Sequence, residues 1–200
     1  MDRETQINAI DRYIQSLFTH DSTGHDVYHM RRVANLAKSI AIDEQANIFL
    51  VEAGALLHDI GDKKLFPDPS QSIRDMKEFL FSIDLSDDDV HVLEDMIADI
   101  SFSKGAVPIG LEGKIIQDAD RLDAIGAVGI ARTFAFGGAH GQSIYSPKDK
   151  RTSIHHFYDK LLKLKDTLHT RKAKELAEKR HQFLHTFLEQ FFNEWKFKNE

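Results

Sequence analysis

The sequence contains no cysteine, only four prolines and no long apolar run. The absence of cysteine excludes disulfides, thiolate nucleophiles and every zinc site built on sulfur, so nitrogen and oxygen must bind any metal. No apolar run approaches the about 20 residues that a membrane-spanning helix needs, and the segment MDRETQINAIDRYIQ lacks the apolar stretch of a signal peptide. We therefore expect a cytoplasmic protein with no membrane partner.

Basic residues are outnumbered by acidic ones. The chain has 26 Lys and Arg against 32 Asp and Glu, which gives a formal net charge of -6. This balance disfavours a surface that coats an extended nucleic acid, because such surfaces are basic. A small anionic ligand in a locally basic pocket remains compatible with it.

The residues that are present predict an all-α fold. Apolar residues make up 42% of the 200 residues, and they recur every three or four positions, as at Ile7, Ile10 and Ile14, with no alternating strand pattern. We expect a single-domain helical bundle over 1–200. Its predicted helices are 4–19, 25–42, 44–60, about 70–83, 87–100, 111–136, about 153–168 and 170–196.

Three details of these helices can be read from single residues. The helix 44–60 is apolar nearly all round, so it is expected at the centre of the bundle and should end at Gly61. Ser22 or Thr23 is expected to cap the helix 25–42, and Ser86 the helix 87–100. Segments 61–70, 101–110 and 137–153 read as loops because of their glycines and prolines.

Histidine and aspartate form three groups that could carry chemistry. His25 and His29 are four residues apart, His58 and Asp59 are adjacent at the end of the apolar helix, and three aspartates lie in the helix 111–136. A metal site needs ligands from several elements, since one helix cannot surround an ion. Taken alone, a His-Asp dipeptide is weak evidence for a metal, and His58-Asp59 could be merely a polar turn at a helix end.

The order of these groups carries a resemblance to a known family. The pattern H-x3-H-x2-RV, then LLHDIGD, then QDADRLDAIGAVGIAR resembles the HD superfamily of metal-dependent phosphohydrolases. The match covers about 24–133, and the stretch AKELAEKRHQFLHTFLEQFFNEW within the C-terminal helices, about 153–197, is similar to a stand-alone bacterial branch of HD hydrolases. The resemblance implies a helical HD-type fold with a metal site at its core.

The resemblance also implies the ligands. Carried over motif by motif, they are His29, His58, Asp59 and Asp120, the last because Ala119-Asp120-Arg121-Leu122 matches the family's small-Asp-x-Leu. Asp118 is the alternative, since two residues correspond to about 200° around a helix and the two carboxylates cannot easily face one ion. We expect one divalent ion, because the segment 87–103 lacks the second histidine pair of binuclear members. Such ligands suit Mn²⁺, Fe²⁺, Co²⁺, Ni²⁺ or Zn²⁺, with Mn²⁺ as the first expectation.

The implied reaction is hydrolysis of a phosphoester or phosphoanhydride by a metal-activated water. Asp62, three residues after Asp59, is the candidate general acid/base by family resemblance, and a solvated loop carboxylate is the alternative. A phosphate also needs positive partners, which would come from substrate-binding residues. The candidates are His25, Arg32, Lys63, Lys104 and Arg132.

Simpler interpretations exist for each of these residues. Most exposed lysines are only solvated, and His25 could be a polar residue at a helix start. Asp123 could orient a ligand or could be an ordinary surface acid.

Two classes of function follow from this pattern. The first is an enzyme acting on a small phosphorylated substrate, with a nucleotide favoured on family grounds. The second is a non-catalytic HD module that senses a nucleotide or a metal. A metal-dependent oxygenase on the same fold would need two irons and further ligands that the sequence does not show. Retention of the complete ligand set favours the enzyme, and the oligomeric state is left open.

Overall fold

A computed structural model describes residues 1–18, 26–100 and 107–196 of the chain. Over these residues the chain forms nine α-helices, one 3₁₀ helix and no β-strand, which confirms the all-α prediction. None of the helices in these ranges combines the length and the apolar character that crossing a membrane requires. The helices are α1 Arg3–Leu17, α2 Val27–Glu44, α3 Ile48–Leu57, α4 Pro69–Ser82, α5 Asp87–Ile100, α6 Leu111–Asp123, α7 Gly126–Ala139, α8 Ser153–Asp159, the 3₁₀ helix Leu161–Thr167 and α9 Arg171–Trp195.

The chain divides into two compact units. Unit 1 comprises Met1–Asp21 and His25–Ala119, and unit 2 comprises Ser22–Gly24 and Asp120–Glu200. The boundary falls inside α6, between Ala119 and Asp120. The single domain over 1–200 therefore stays a prediction.

The apolar helix α3 forms the centre of unit 1, as its sequence predicts. It packs against α1, α2 and α5, and its residues Val51, Ala53 and Leu57 are fully buried. Gly54 faces the core so closely that an added Cβ would lie 2.7 Å from Cδ1 of Ile116. A helix that is apolar all round has no face suited to water, so neighbouring helices surround it.

Side chains cap the starts of helices in unit 1. Ser86 accepts a hydrogen bond from the N–H of Asp89 at 3.2 Å and caps α5, as predicted. The predicted cap of α2 by Ser22 or Thr23 is wrong, because Asp26 occupies that position and its carboxylate accepts from the N–H of His29 at 2.8 Å. Aspartate is as good a cap as serine, and the helix begins at the residue after it.

The predicted long helix 111–136 is two helices. α6 ends at Asp123, Ile125 is extended, and α7 begins at Gly126, whose φ of +78° lies in the left-handed region that glycine tolerates. The predicted helix 153–168 is likewise α8 followed by the 3₁₀ helix. Periodicity missed both breaks, because residues on either side of each break continue to bury apolar side chains.

Aromatic rings form much of the core of unit 2, where α7, α8, the 3₁₀ helix and α9 pack together. Phe157 is fully buried and stacks on Phe187 at 5.5 Å between ring centroids. The loop predicted at 137–153 begins later, since α7 continues to Ala139. Within this loop, Tyr145 packs edge-on against Phe192 and Trp195 of α9, which ties the loop to the helix.

Candidate metal centre

His29 lies in the first turn of α2 and points into the interior of unit 1. Its backbone N–H donates to the Asp26 carboxylate that caps the helix, and its side chain is only 1% exposed. Met30 and Val33, on the same helix, are fully buried. The cap and the buried face together fix where the His29 imidazole can point.

His58 lies at the C-terminal end of α3, which ends three residues earlier than predicted. The helix closes at Leu57, and the chain turns through 58–61 to reach Gly61, whose φ is +83°. Nδ1 of His58 is 2.8 Å from the carbonyl oxygen of Ala55. A carbonyl only accepts, so Nδ1 carries the proton and a neutral His58 keeps a lone pair on Nε2. This tautomer, with Nδ1 bonded to a backbone carbonyl, is the one that metal-binding histidines commonly adopt.

The side chains of His29, His58 and Asp59 converge in unit 1. Nε2 of His29 is 3.7 Å from Oδ2 of Asp59, and Nε2 of His58 is 3.4 Å from Oδ1 of Asp59. The two imidazole rings meet edge-on with centroids 5.3 Å apart. Both nitrogen–oxygen distances are longer than a good hydrogen bond, and Oδ2 of Asp59 is buried without accepting one from the described residues.

This arrangement fits a divalent transition metal. Two imidazole nitrogens and a carboxylate are donors that such ions accept. A buried carboxylate oxygen that lacks a hydrogen bond is costly, and a cation would compensate that cost. His29, His58 and Asp59 are therefore suited to hold an ion from one side.

The three aspartates of α6 have different environments. Asp118, in unit 1, is fully buried, whereas Asp120, in unit 2, is half-buried. Asp123 is also in unit 2, is buried, and accepts a hydrogen bond from Nη1 of Arg132 at 2.8 Å. The interpretation of Asp123 as a surface acid is thus wrong, because its charge is held inside unit 2 by an arginine.

Asp62 begins the loop after α3. Its N–H donates to the carbonyl oxygen of Asp59 at 3.2 Å, and its own Oδ1 accepts from the N–H of Lys64 at 2.7 Å. The carboxylate is half-buried. The backbone of Asp62 is therefore held by the turn that starts at Asp59, and its side chain is held by the residues that follow, because one of its oxygens accepts from Lys64.

The predicted substrate-binding residues are only partly described. Lys63 is exposed and Arg32 is half-buried, while Arg132 donates to Asp123. His25 and Lys104 lie outside the described residues.

Two arginines that the sequence analysis did not select support the end of α6. Nη1 of Arg121 donates to the carbonyl oxygen of Thr167 and lies 3.2 Å from Nε2 of His169. Arg180, from α9, donates to the carbonyl oxygen of Leu122. Burial lowers the pKa of Arg180, and the negative charge of Asp123 opposes that shift. Arg180 stands among many basic residues of a polar helix, so no sequence signal distinguished it.

Comparison with known proteins finds relatives over nearly the whole chain. A family model described as HD domain matches residues 26–125. YpgQ of Bacillus subtilis is 42% identical over 189 residues, which cover 92% of this chain and 91% of YpgQ.

Solved structures agree with these similarities. The crystal structure of Bacillus subtilis YpgQ in complex with ADP matches with a TM-score of 0.87 and 40% identity, covering 97% of each chain. An HD-superfamily hydrolase from Bacillus thuringiensis matches with a TM-score of 0.83 and 38% identity, covering 98% of this chain and 100% of that one.

Proposed function

Since the chain belongs to the HD domain family, we propose that it is a metal-dependent phosphohydrolase acting on a nucleotide phosphoester or phosphoanhydride. The convergence of His29, His58 and Asp59 is the observation that carries the proposal. The imidazole nitrogens of His29 and His58 lie 3.7 and 3.4 Å from the Asp59 carboxylate oxygens, which is longer than a good hydrogen bond and suited to an ion. The relative YpgQ was crystallised with ADP, which supports a nucleotide as the substrate.

The proposed ligand set is His29, His58, Asp59 and Asp120. Asp120 is assigned from the small-Asp-x-Leu motif, and Asp118 points about 200° away around the same helix. When bound, the ion would lower the pKa of a coordinated water and polarise a phosphoryl oxygen. Mn²⁺ is the first candidate, and Fe²⁺, Co²⁺, Ni²⁺ and Zn²⁺ suit the same donors.

Asp62 is the proposed general acid/base. The N–H of Lys64 donates to Oδ1 of Asp62 at 2.7 Å, so the carboxylate has a defined orientation at the start of the loop. Partial exposure would let it exchange protons with water and with a leaving group. Arg32, Lys63 and Arg132 are proposed to contact the phosphate, together with His25 and Lys104 from outside the described residues.

The test is a hydrolysis assay on untagged protein that has been stripped of metal and reloaded. Nucleoside mono-, di- and triphosphates are offered with Mn²⁺ or with excess chelator, and products are separated by chromatography. We expect turnover of at least one nucleotide with Mn²⁺ and none with chelator. Binding without turnover of any nucleotide would instead indicate the sensing module, and full activity in chelator would refute the metal.

His58→Ala tests the site directly, and His91→Ala is its matched control. His91 is also a histidine beside an aspartate, with Nε2 3.6 Å from Oδ2 of Asp95, but the pair is exposed on α5. We expect His58→Ala to lose both bound metal and turnover, while His91→Ala keeps both. Equal behaviour of the two variants would contradict the assignment.

The last ligand is tested by comparing Asp118→Ala with Asp120→Ala. We expect Asp120→Ala to lose the metal, as measured by elemental analysis after dialysis. Should only Asp118→Ala lose it, the ligand would be Asp118.

A further inference from the structure

The last turn of α6 is held by a side chain from a distant part of the chain. The backbone carbonyl oxygen of Asp120 accepts a hydrogen bond from the N–H of Ala124 at 3.2 Å, and that of Leu122 accepts one from the N–H of Ile125 at 3.2 Å. These are the final backbone bonds before the break between α6 and α7. Nη1 of Arg180 donates a further hydrogen bond to the Leu122 carbonyl oxygen. Carbonyls at a helix end lack partners within the helix and need such donors.

The stem of Arg180 also shapes the break itself. A Cβ added to Gly126 would lie 3.1 Å from Cγ and 3.2 Å from Cβ of Arg180. Gly126 has a φ of +78°, so the position favours glycine both for its backbone conformation and for its closeness to the arginine. The Arg180 side chain thus packs on the first residue of α7 while its guanidinium caps the end of α6.

Charge keeps this guanidinium in place. Burial lowers the pKa of Arg180, and the Asp123 carboxylate, in the same turn as Leu122, counteracts the shift. Asp123 also accepts from Nη1 of Arg132 at 2.8 Å. A half-buried arginine is costly unless an anion and hydrogen-bond acceptors compensate it. Here the compensating groups all belong to the turn that contains Asp120.

We propose that Arg180 is the positioning residue for Asp120, acting through the turn Asp120–Asp123 and contacting neither metal nor substrate. The proposal rests on the proposed function, in which Asp120 is a metal ligand. The ends of helices fray and shift most easily. An arginine fixed to Leu122 removes that freedom two residues from the ligand carboxylate.

A double-mutant cycle tests this role. Mn²⁺ dissociation constants are measured for the wild type, Arg180→Met, Asp120→Asn and the double variant, with Lys179→Met, an exposed neighbour, as control. We expect Arg180→Met to weaken Mn²⁺ binding by about 10- to 100-fold, the range seen when groups that orient a ligand are removed. In the Asp120→Asn background the same change should cost less than about 3-fold, because the ligand that Arg180 positions is gone. Lys179→Met should bind Mn²⁺ as the wild type does.

Arg180→Lys keeps the stem and the charge, so it guards against a variant that does not fold. We expect it to restore part of the affinity that Arg180→Met loses, since a lysine can donate one hydrogen bond but lacks the planar fork. An equal loss from Arg180→Met in both backgrounds would mean a general effect on the fold, and it would overturn the proposal. Normal Mn²⁺ binding in Arg180→Met would overturn it as well.

The two proposals fail in different ways in this cycle. If Asp120→Asn alone leaves Mn²⁺ binding unchanged, Asp120 is no ligand, and the ligand set of the proposed function fails together with the role of Arg180. If Asp120→Asn weakens Mn²⁺ binding and Arg180→Met does not, only the role of Arg180 fails.

Discussion

Unit 1 contains 11 basic and 22 acidic residues, whereas unit 2 contains 15 basic and 10 acidic residues, so their formal net charges are -11 and +5. The overall charge of -6 hides this asymmetry. The proposed anionic substrate would be repelled by the net charge of unit 1 and attracted by that of unit 2. The proposed phosphate contact of unit 2, Arg132, thus stands in the more favourable field.

The two units also hold their candidate site residues by different means. In unit 1, His58 and Asp59 follow an aliphatic helix whose last residue, Leu57, is fully buried in the apolar core. In unit 2, arginine side chains hold the turn Asp120–Asp123 through hydrogen bonds and charge. Apolar packing is strong and non-directional, whereas a charged hydrogen bond is directional and depends on its partner. The placement of His58 and Asp59 should therefore tolerate small changes in the apolar core. The placement of the turn Asp120–Asp123 depends on single arginine residues.

The largest expected effect concerns the chemistry assigned to unit 1. Asp62→Asn removes the base but keeps an oxygen that can accept from the N–H of Lys64, so the loop should keep its shape. We expect kcat to fall by about 10²- to 10⁴-fold, the usual contribution of general acid–base catalysis, with the metal retained. Steady-state kinetics and elemental analysis measure the two quantities.

Asp88→Asn, an exposed acid on α5, is the control for this change and should leave kcat unaltered. Normal turnover in Asp62→Asn would make Asp62 a solvated loop carboxylate. Loss of the metal together with turnover would make it a ligand.

The next largest effect is a loss of stability when one buried side chain is truncated in the core of each unit. Leu57 and Phe157 are fully buried. Leu57→Ala should destabilise the protein by about 2–5 kcal/mol and Phe157→Ala by about 3–5 kcal/mol. Urea unfolding is followed by far-ultraviolet circular dichroism for all helices and by fluorescence of Trp195, the one tryptophan, for unit 2.

These two probes also test the predicted single domain over 1–200. If Leu57→Ala shifts both transitions equally, the units unfold together as one cooperative domain. A shift in circular dichroism with unchanged Trp195 fluorescence would show independent unfolding and contradict the prediction.

A smaller effect on stability is expected when a glycine is replaced by alanine, and its sign should differ between the two units. Gly54→Ala in α3 would bring Cβ to 2.7 Å from Cδ1 of Ile116, and we expect a loss of about 1–3 kcal/mol from overpacking. At Gly138 in α7 an added Cβ meets nothing within 4 Å. Gly138→Ala should therefore stabilise the protein by about 0.4–1 kcal/mol. Thermal unfolding measures both changes in stability. If the two variants shift stability in the same direction, the difference in packing is contradicted.

The smallest expected effect is a pH dependence in unit 2. Burial, and then the positive charges of His185 and Lys165, lower the pKa of His181. As the pH falls through the unfolded value of about 6.5, the unfolded chain takes up the proton first, so stability is lost toward low pH and is complete above it. His181→Gln should reduce this loss between pH 8 and pH 5.5, measured as a urea midpoint, and an unchanged slope would exclude His181 as its source.

Much of the fold could be predicted from local patterns. The central position of α3 follows from its uniform apolarity, and the start of α5 from Ser86. Capping was predicted correctly in kind but not in position for α2, because Asp26 caps this helix, whereas Ser22 and Thr23 lie outside the described residues. Local sequence patterns locate helices well but their ends less well. Several residues near a helix start can accept hydrogen bonds from the same backbone N–H groups.

The sequence by itself determined the helical class, the order of the histidine and aspartate motifs and the family to which the chain belongs. These properties depend on periodicity and on the residue types within short motifs, which are local. Only the tertiary structure decided that α3 ends at Leu57, that 111–136 breaks before Gly126 and that Asp123 is buried and paired with Arg132. Each of these depends on contacts across the chain, such as the bond from Arg180 to Leu122 over 58 residues. Local periodicity carries no information about which residues meet over such a separation, because packing and charge in the folded chain determine those contacts.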